Sequence, residues 1–149
     1  MKPNPIFMLT GFLLLVLPTS AQQPVEECKP KITYENRNQI EYRPLSVSVV
    51  SGVALDKDQV PIPSVCLGLF TEQGHRLVAN AVTDQKGSFN FNRVTPGRYR
   101  LVAKYSGFCP ANLSLRVMRR LSEHKQKRKH LVLHMQPKGM DSCSYGDYK

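Results

Sequence analysis

Four histidines and four cysteines are the side chains of this sequence with the widest chemical use, as bases, nucleophiles or metal ligands. His130 and His134 fall on one face of a predicted strand, where residues four apart are separated by about 13 Å. A zinc ion holds nitrogen ligands at about 2.1 Å, so this pair cannot share one ion. His124 lies within a basic run, which is typical of a solvated histidine. We therefore predict no metal, no cofactor and no histidine acting as a base.

Nucleophilic hydrolysis needs a base beside the nucleophile and a third group that orients the base. The sequence contains no GxSxG motif, and no cysteine lies in a recognisable catalytic context. Asp56 and Asp58 form a pair of carboxylates in one loop, but a calcium ion needs six to eight oxygens, and an Asx turn explains them more simply. We predict that the chain is not an enzyme.

The densest charge lies in one basic segment, opposed only by Glu123. The whole chain has 21 Lys and Arg against 11 Asp and Glu, a formal net charge of +10, which favours anionic partners. The segment either binds polyanions or is a solvated loop that keeps a strand edge from aggregating, and both interpretations stay open. The predicted polyanion-binding residues are Arg119, Arg120, Lys125, Lys127, Arg128 and Lys129.

The first 21 residues have the features of a secretory signal: Lys2, an apolar stretch at 6–17, Pro18, and small residues at 19–21. The stretch is shorter than the roughly 20 residues that a membrane span requires. We predict cleavage after Ala21 and a secreted or periplasmic protein with no membrane span. An exported protein rarely meets nucleic acid, so we expect a protein or an anionic polysaccharide or envelope surface as partner.

The remaining chain has the length of one domain. Residues 22–44 are predicted to be an irregular N-terminal arm, 45–136 a β-sandwich and 137–149 a C-terminal tail. Within the sandwich, short segments with period-two alternation are separated by turns at 84–87 and 95–97. Seven such segments predict an all-β, seven-stranded, two-sheet sandwich: residues 47–55, 64–71, 77–83, 88–92, 98–105, 113–117 and 131–135.

Four segments of this pattern resemble the carboxypeptidase regulatory-like domain, a prealbumin-like (transthyretin-type) sandwich: SGVALD (51–56), PIPSVCLGL (61–69), VTDQKGSFNF (82–91) and VTPGRYRLVA (94–103). The resemblance implies an appended module without catalytic residues of its own, and so a scaffold or binding role. The transthyretin-like hydroxyisourate hydrolases share the general sandwich but end in Tyr-Arg-Gly-Ser. This chain ends in SYGDYK at 144–149, so none of their catalytic roles is carried over.

Four cysteines in an exported chain indicate disulfides, and three pairings are possible. We predict Cys28 with Cys143, because both lie outside the sandwich and one long loop would tie the two arms together. We predict Cys66 with Cys109, because the strands next to them can be neighbours in a transthyretin-type sandwich. The alternative for Cys66 is a free, buried thiol.

The leading hypothesis is an exported, non-catalytic interaction module. The alternative is a carbohydrate-binding module, in which tyrosines 34, 42, 145 and 148 would form a platform for sugar rings unless they pack against the sandwich. A transthyretin-like hydrolase comes third. Asn112 begins a glycosylation sequon, whose use depends on the host.

Overall fold

The computed structural model describes residues 28–32, 43–73, 75–119 and 129–148. Two sheets pack face to face, which confirms the predicted all-β sandwich, although these described residues form nine strands rather than the predicted seven. Within these ranges no helix has the length and apolar character of a membrane span. The strands are β1 (Leu45–Val47), β2 (Val50–Leu55), β3 (Cys66–Thr71), β4 (Leu77–Val82), β5 (Ser88–Phe91), β6 (Gly97–Lys104), β7 (Ala111–Val117), β8 (Leu131–His134) and β9 (Tyr145–Tyr148).

The larger sheet has five strands in the order β1-β7-β6-β3-β4, and the smaller has four in the order β5-β2-β8-β9. Most neighbours are antiparallel, but β1 pairs in parallel with β7, and β2 pairs in parallel with β8. Both parallel pairs have the same cause. The chain passes from the larger sheet to the smaller one between β1 and β2, so each of these strands pairs with a later strand of its own sheet.

The predicted first strand, 47–55, is divided at Ser48 and Val49. Val47 and Val50 are both buried in the core although they are three positions apart in the chain. In one continuous strand they would point to opposite faces. The change of sheet lets both reach the core from opposite sides, which explains why both faces of this segment are apolar.

The core forms between the sheets from the inward side chains of alternate residues, as the sequence predicted. Phe89 and Phe91 are buried while Ser88 and Asn90 are exposed. On β6, the predicted inward residues Tyr99, Leu101 and Ala103 are buried.

Two aspartates organise the turns that the sequence placed between strands. The Asp84 carboxylate accepts hydrogen bonds from the backbone N–H groups of Lys86 and Ser88, both at 2.8 Å. Gly87 follows with φ of 68°, and a Cβ there would lie 2.6 Å from the Ala54 carbonyl oxygen, so only glycine fits. Asp56 forms a similar Asx turn, because its carboxylate accepts from the N–H groups of residues 58 and 60.

The chain after residue 136 was predicted to be a tail, but residues 145–148 form β9, an edge strand of the smaller sheet. Gly146 and Tyr148 face inward, and a Cβ on Gly146 would overlap a Leu113 methyl carbon, so that Leu113 would have to move. The Tyr148 hydroxyl accepts a hydrogen bond from the Ser46 N–H and donates one to the Ser46 carbonyl at 3.2 Å. Tyr148 therefore joins β9 to β1, the edge strand of the other sheet.

The predicted disulfide pairing is wrong. Cys28 bonds Cys66, with Cα atoms 5.4 Å apart, and Cys109 bonds Cys143, at 5.3 Å. Each bridge closes a loop of moderate length, worth about 4 kcal/mol in the chain-entropy model.

Strand packing explains the observed bridges. The segment 28–32 lies over the outer face of β3, where Pro30 occupies the space that a Cβ on Gly68 would need, and this places Cys28 beside Cys66. Cys109 lies beyond β6, where the chain has turned towards the β8–β9 connection; its N–H donates to the Gln136 carbonyl at 2.8 Å. It thus meets Cys143 rather than Cys66. Two disulfides fit an extracellular location.

We expect Tyr148→Phe to lower the free energy of unfolding by about 1 kcal/mol near neutral pH, through loss of the hydroxyl's hydrogen bonds. Burial, the largest cause, and the nearby Asp147 carboxylate raise the pKa of Tyr148 above its usual value. A raised folded-state pKa gives stability that is present below the unfolded-state pKa of about 10 and is lost as the pH rises through the folded-state pKa. The stability difference between wild type and variant should therefore narrow above pH 10. Denaturant unfolding of both proteins at pH 7, 10 and 11 tests this, and a constant difference would contradict it.

Candidate functional site

The two ends of the sandwich are formed by different sets of loops. Strand pairing brings Val47, Val50, Phe91, Gly97 and Val117 to one end, together with the start of β8. The connections β1–β2, β3–β4, β5–β6 and β7–β8 therefore meet at this end, which we call the basic end. The connections β2–β3, β4–β5, β6–β7 and β8–β9 meet at the opposite end.

Charge is divided unevenly between the two ends. Among the described residues of the basic-end loops, Glu72 is the one carboxylate, and four exposed cations accompany it: Arg76, Arg93, Arg119 and Lys129. The described loops of the opposite end are nearly balanced, with aspartates 56, 58, 84 and 141 against lysines 57, 86 and 138. Lys57 is also paired, since its Nζ lies 2.8 Å from Asp58, whose carboxylate raises the pKa of Lys57.

An open pocket of about 550 Å³ lies at the basic end, with Arg93 and Arg119 among its lining residues. Its other lining residues are largely apolar: Val49, Val50, Phe91, Val94, Pro96 and Met118, together with Ser48. Arg93 has φ of 57°, a left-handed conformation that costs an L-residue about 1–2 kcal/mol. The β5–β6 turn thus holds this arginine in an unfavourable backbone conformation at the pocket.

Val49 also lines a second groove, on the outer face of the smaller sheet, together with Lys129 and His130. Arg119 and Lys129 are the described ends of the predicted basic segment, and they lie on either side of Val49. Arg120, Lys125, Lys127 and Arg128 lie outside the described residues, as does His124. The Lys129 Nζ lies 4.7 Å from the centre of the Tyr148 ring, a cation–π contact that holds one end of the segment on the sandwich.

Sequence reasoning missed Arg76 and Arg93, which reach the basic end from other loops. Arg93 is 26 residues from Arg119 in the chain, and the antiparallel pairing of β6 with β7 brings the two loops together. The one local signal is the position of Arg93 in a turn directly after the alternating segment 88–92.

Ser51 and His130 form a serine–histidine hydrogen bond on the outer face of the smaller sheet, with Oγ and Nδ1 3.2 Å apart. These are the residue types of a nucleophile and its base. Catalysis also needs a group that orients the histidine, and within the described ranges no carboxylate hydrogen-bonds to His130. The pair is exposed to solvent, which weakens any electrostatic contribution. In the same ranges, no three His, Cys, Asp or Glu side chains are grouped as a metal site requires.

Of the four tyrosines predicted as a sugar platform, the structure describes Tyr145 and Tyr148, which point to opposite faces of β9. The Tyr148 hydroxyl is hydrogen-bonded to the Ser46 backbone, and the Lys129 ammonium lies over the Tyr148 ring. Tyr145 is 44% exposed and stacks on His134, with ring centres 4.7 Å apart and planes at 19°. Tyr34 and Tyr42 lie outside the described residues, as do the predicted signal residues 1–21. Asn112 of the sequon is only 1% exposed on β7, so the folded protein has no space there for a glycan.

Comparison with solved structures finds similar folds at low sequence identity. The 5-hydroxyisourate hydrolase of Klebsiella pneumoniae is 22% identical over 68% of this chain and 98% of its own, with a TM-score of 0.49. An (S)-allantoin synthase is 14% identical over 69% of this chain and 45% of its own, with a TM-score of 0.43. Neither similarity bears on the activity of this chain. A search of curated proteins found no match.

The sequence model of the carboxypeptidase regulatory-like domain matches residues 49–123, half of the chain. This range runs from the corner between β1 and β2 through β7 into the basic segment, and it contains the four segments in which the resemblance was noted. The chain belongs to the carboxypeptidase regulatory-like domain family.

Proposed function

We propose that the chain is an exported, non-catalytic interaction module that binds an anionic envelope component, a polysaccharide in the first place, through its basic end. The observation that carries this proposal is the division of charge: the basic-end loops present Arg76, Arg93, Arg119 and Lys129 against Glu72 alone among the described residues. The predicted segment 120–128 adds further cations to the same connection. Charge concentrated on one surface attracts a polyanion far more strongly than the same charge spread evenly.

The residue types at this end support recognition as well as attraction. Three of its four described cations are arginines, whose planar guanidinium groups form paired hydrogen bonds with carboxylates and sulfates. Two of them lie on the pocket with the apolar lining, which provides contact surface for the apolar face of a sugar ring. At physiological salt the charges act over about 8 Å, so binding must be close and sensitive to salt.

Export is supported by the two disulfides, which form and persist in oxidising compartments. The predicted signal at 1–21, cleaved after Ala21, would direct the chain there. A non-catalytic role is supported by the exposed Ser51–His130 pair, to which no orienting carboxylate is bonded within the described ranges. The resemblance to the carboxypeptidase regulatory-like domain implies an appended module without catalytic residues of its own, which also supports a binding role.

A second candidate is binding of neutral carbohydrate on the outer face of the smaller sheet. The exposed Tyr145 ring, stacked on His134, favours it, because such rings stack against sugars. Under this candidate, Tyr145→Ala should abolish binding to neutral oligosaccharides on a glycan array, whereas Tyr145→Phe should retain it. If the wild type binds only acidic glycans, and Tyr145→Ala binds them equally well, this candidate is wrong.

The main proposal predicts that the variant Arg93→Gln/Arg119→Gln/Lys129→Gln elutes from immobilised heparin at lower salt than wild type. Each cation that contacts an anionic group of the polymer contributes about one unit to the slope of log affinity against log salt concentration. Loss of three such contacts should therefore make this slope shallower by about three. A second variant, Lys125→Gln/Lys127→Gln/Arg128→Gln, tests the segment outside the described residues in the same way.

The matched control is Lys57→Gln/Lys86→Gln/Lys138→Gln, which removes the same net charge from the opposite end. It should elute close to wild type, because these lysines lie among aspartates far from the basic end. Melting temperatures of all variants show whether they are folded. Equal losses in the basic-end and control variants would mean that only net charge matters, and the proposal of a site would fail.

The absence of catalysis is a separate prediction. Purified mature protein should hydrolyse esters, peptides and 5-hydroxyisourate no faster than a heat-inactivated sample. The Ser51→Ala and His130→Ala variants should show the same background rates. Turnover in the wild type that disappears in either variant, or in His134→Ala, would show that the chain is an enzyme.

A further inference from the structure

Two arginines lie directly opposite each other on the outer face of the larger sheet. The register pairs Arg98 of β6 with Arg116 of β7, and both side chains are exposed. Side chains opposite each other on antiparallel strands have Cβ atoms about 4.5–5.5 Å apart, and like charges in such a pair destabilise the sheet. The next outward pair joins Arg100 to Ser114, so the same face accommodates a small neutral residue opposite an arginine.

Within the described ranges, the Glu72 carboxylate pairs with Arg98 but no carboxylate pairs with Arg116. The Glu72 carboxylate lies 3.8 Å from an Arg98 Nη atom, and its other oxygen accepts a long hydrogen bond of 3.5 Å from the Ser114 hydroxyl. The two ion pairs found in the described ranges are this one and Lys57–Asp58, and neither includes Arg116. The Arg98 side chain is 70% exposed, so its contact with Glu72 contributes little to stability.

The position of the pair connects it with the basic end. Arg98 follows Gly97 and Arg116 precedes Val117, and those two residues mark the ends of β6 and β7 at the basic end. Arg100 lies on the same outer face, about 7 Å further along β6. Three guanidinium groups thus extend from the basic end onto the sheet, and the Glu72 carboxylate lies beside the first of them, Arg98.

Two guanidinium groups on neighbouring strands, about 4.8 Å apart at the backbone, have the spacing to hold one oxyanion between them. Each offers paired N–H donors to the oxygens of a sulfate or carboxylate. A bound anion would also cancel the repulsion between the two arginines. The repulsion destabilises the free sheet, and its removal therefore adds to the favourable free energy of binding. A flat, strand-borne site of this kind fits an extended polymer lying along the sheet better than a compact ligand.

We propose that Arg98 and Arg116, with Arg100 beside them, form a subsite for one sulfate or carboxylate group of an anionic polysaccharide that extends from the basic end onto the outer face of the larger sheet. This inference rests on the proposed function, and it adds a defined second contact on two strands. Glu72 limits the affinity of the subsite by competing for Arg98.

The test measures stability and affinity in the same variants. At low salt and without ligand, Arg116→Gln should raise the melting temperature by about 1–4 °C, because it removes a like-charge pair. The same variant should bind a heparin hexasaccharide about tenfold more weakly than wild type. A variant that is both more stable and weaker in binding is not expected from a general loss of structure.

Further variants separate charge from geometry. Arg116→Lys keeps the repulsion but loses the planar fork, so affinity should fall without a gain in melting temperature. Glu72→Gln should increase affinity, because Arg98 is then free for the ligand. Lys138→Gln, an exposed cation of the opposite end, is the matched control and should match wild type in affinity. A galacturonate hexamer in place of heparin shows whether carboxylate serves as well as sulfate; binding of either polymer in an Arg116-dependent manner supports the subsite.

The outcomes distinguish this inference from the proposed function. If Arg98→Gln and Arg116→Gln bind both oligosaccharides as wild type does, while Arg93→Gln/Arg119→Gln/Lys129→Gln binds more weakly, the subsite is wrong and the basic end stands. If only the sheet variants lose affinity, the subsite stands and the basic-end loops are not the site. If wild type binds neither oligosaccharide, both proposals are overturned.

Discussion

The transfer of the chain between sheets at Ser48 and Val49 is the constraint on which the rest of the architecture depends. Because β1 and β2 enter different sheets, each pairs in parallel with a late strand, β7 and β8 respectively. Those two late strands are joined by the basic connection, so its described ends, Arg119 and Lys129, are fixed on either side of the Ser48–Val49 corner. The backbone hydrogen bond from the Met118 N–H to the Val47 carbonyl, 2.8 Å long, continues the β1–β7 pairing to the edge of the connection.

Much of the sandwich could be predicted because inward and outward residues alternate clearly. Phe89 and Phe91 on β5 and Leu101 on β6 are cases in which one buried face is sufficient to identify the strand. β9 was missed for the opposite reason: the inward residue Gly146 has no side chain to contribute to an apolar pattern. The division of the first strand was also hidden, since Val47 and Val50 are both apolar and the corner lies between them.

The candidate site at the basic end could be predicted from the sequence only where its cations follow one another in the chain. The basic segment was evident, whereas Arg93 and the Arg98–Arg116 pair depend on strand register, which one sequence does not specify. The disulfides show the same limit. Loop entropy favoured a long Cys28–Cys143 loop, but the bond requires Cα atoms about 5.5 Å apart, and the packing of Pro30 over Gly68 decides which cysteines meet that condition.

Among the described residues, the unequal division of charge between the two ends of the sandwich produces an electric dipole along the strands. The longest strand, β6, has eight residues and spans about 26 Å, so the arginine-bearing loops and the aspartate-bearing loops are well separated. In the field of an anionic surface such a dipole rotates until the arginines face the surface. The loops around the Cys109–Cys143 bridge then point away from it. Adsorption would thus produce an oriented layer, in which every molecule displays the same disulfide-braced loops to the surrounding medium.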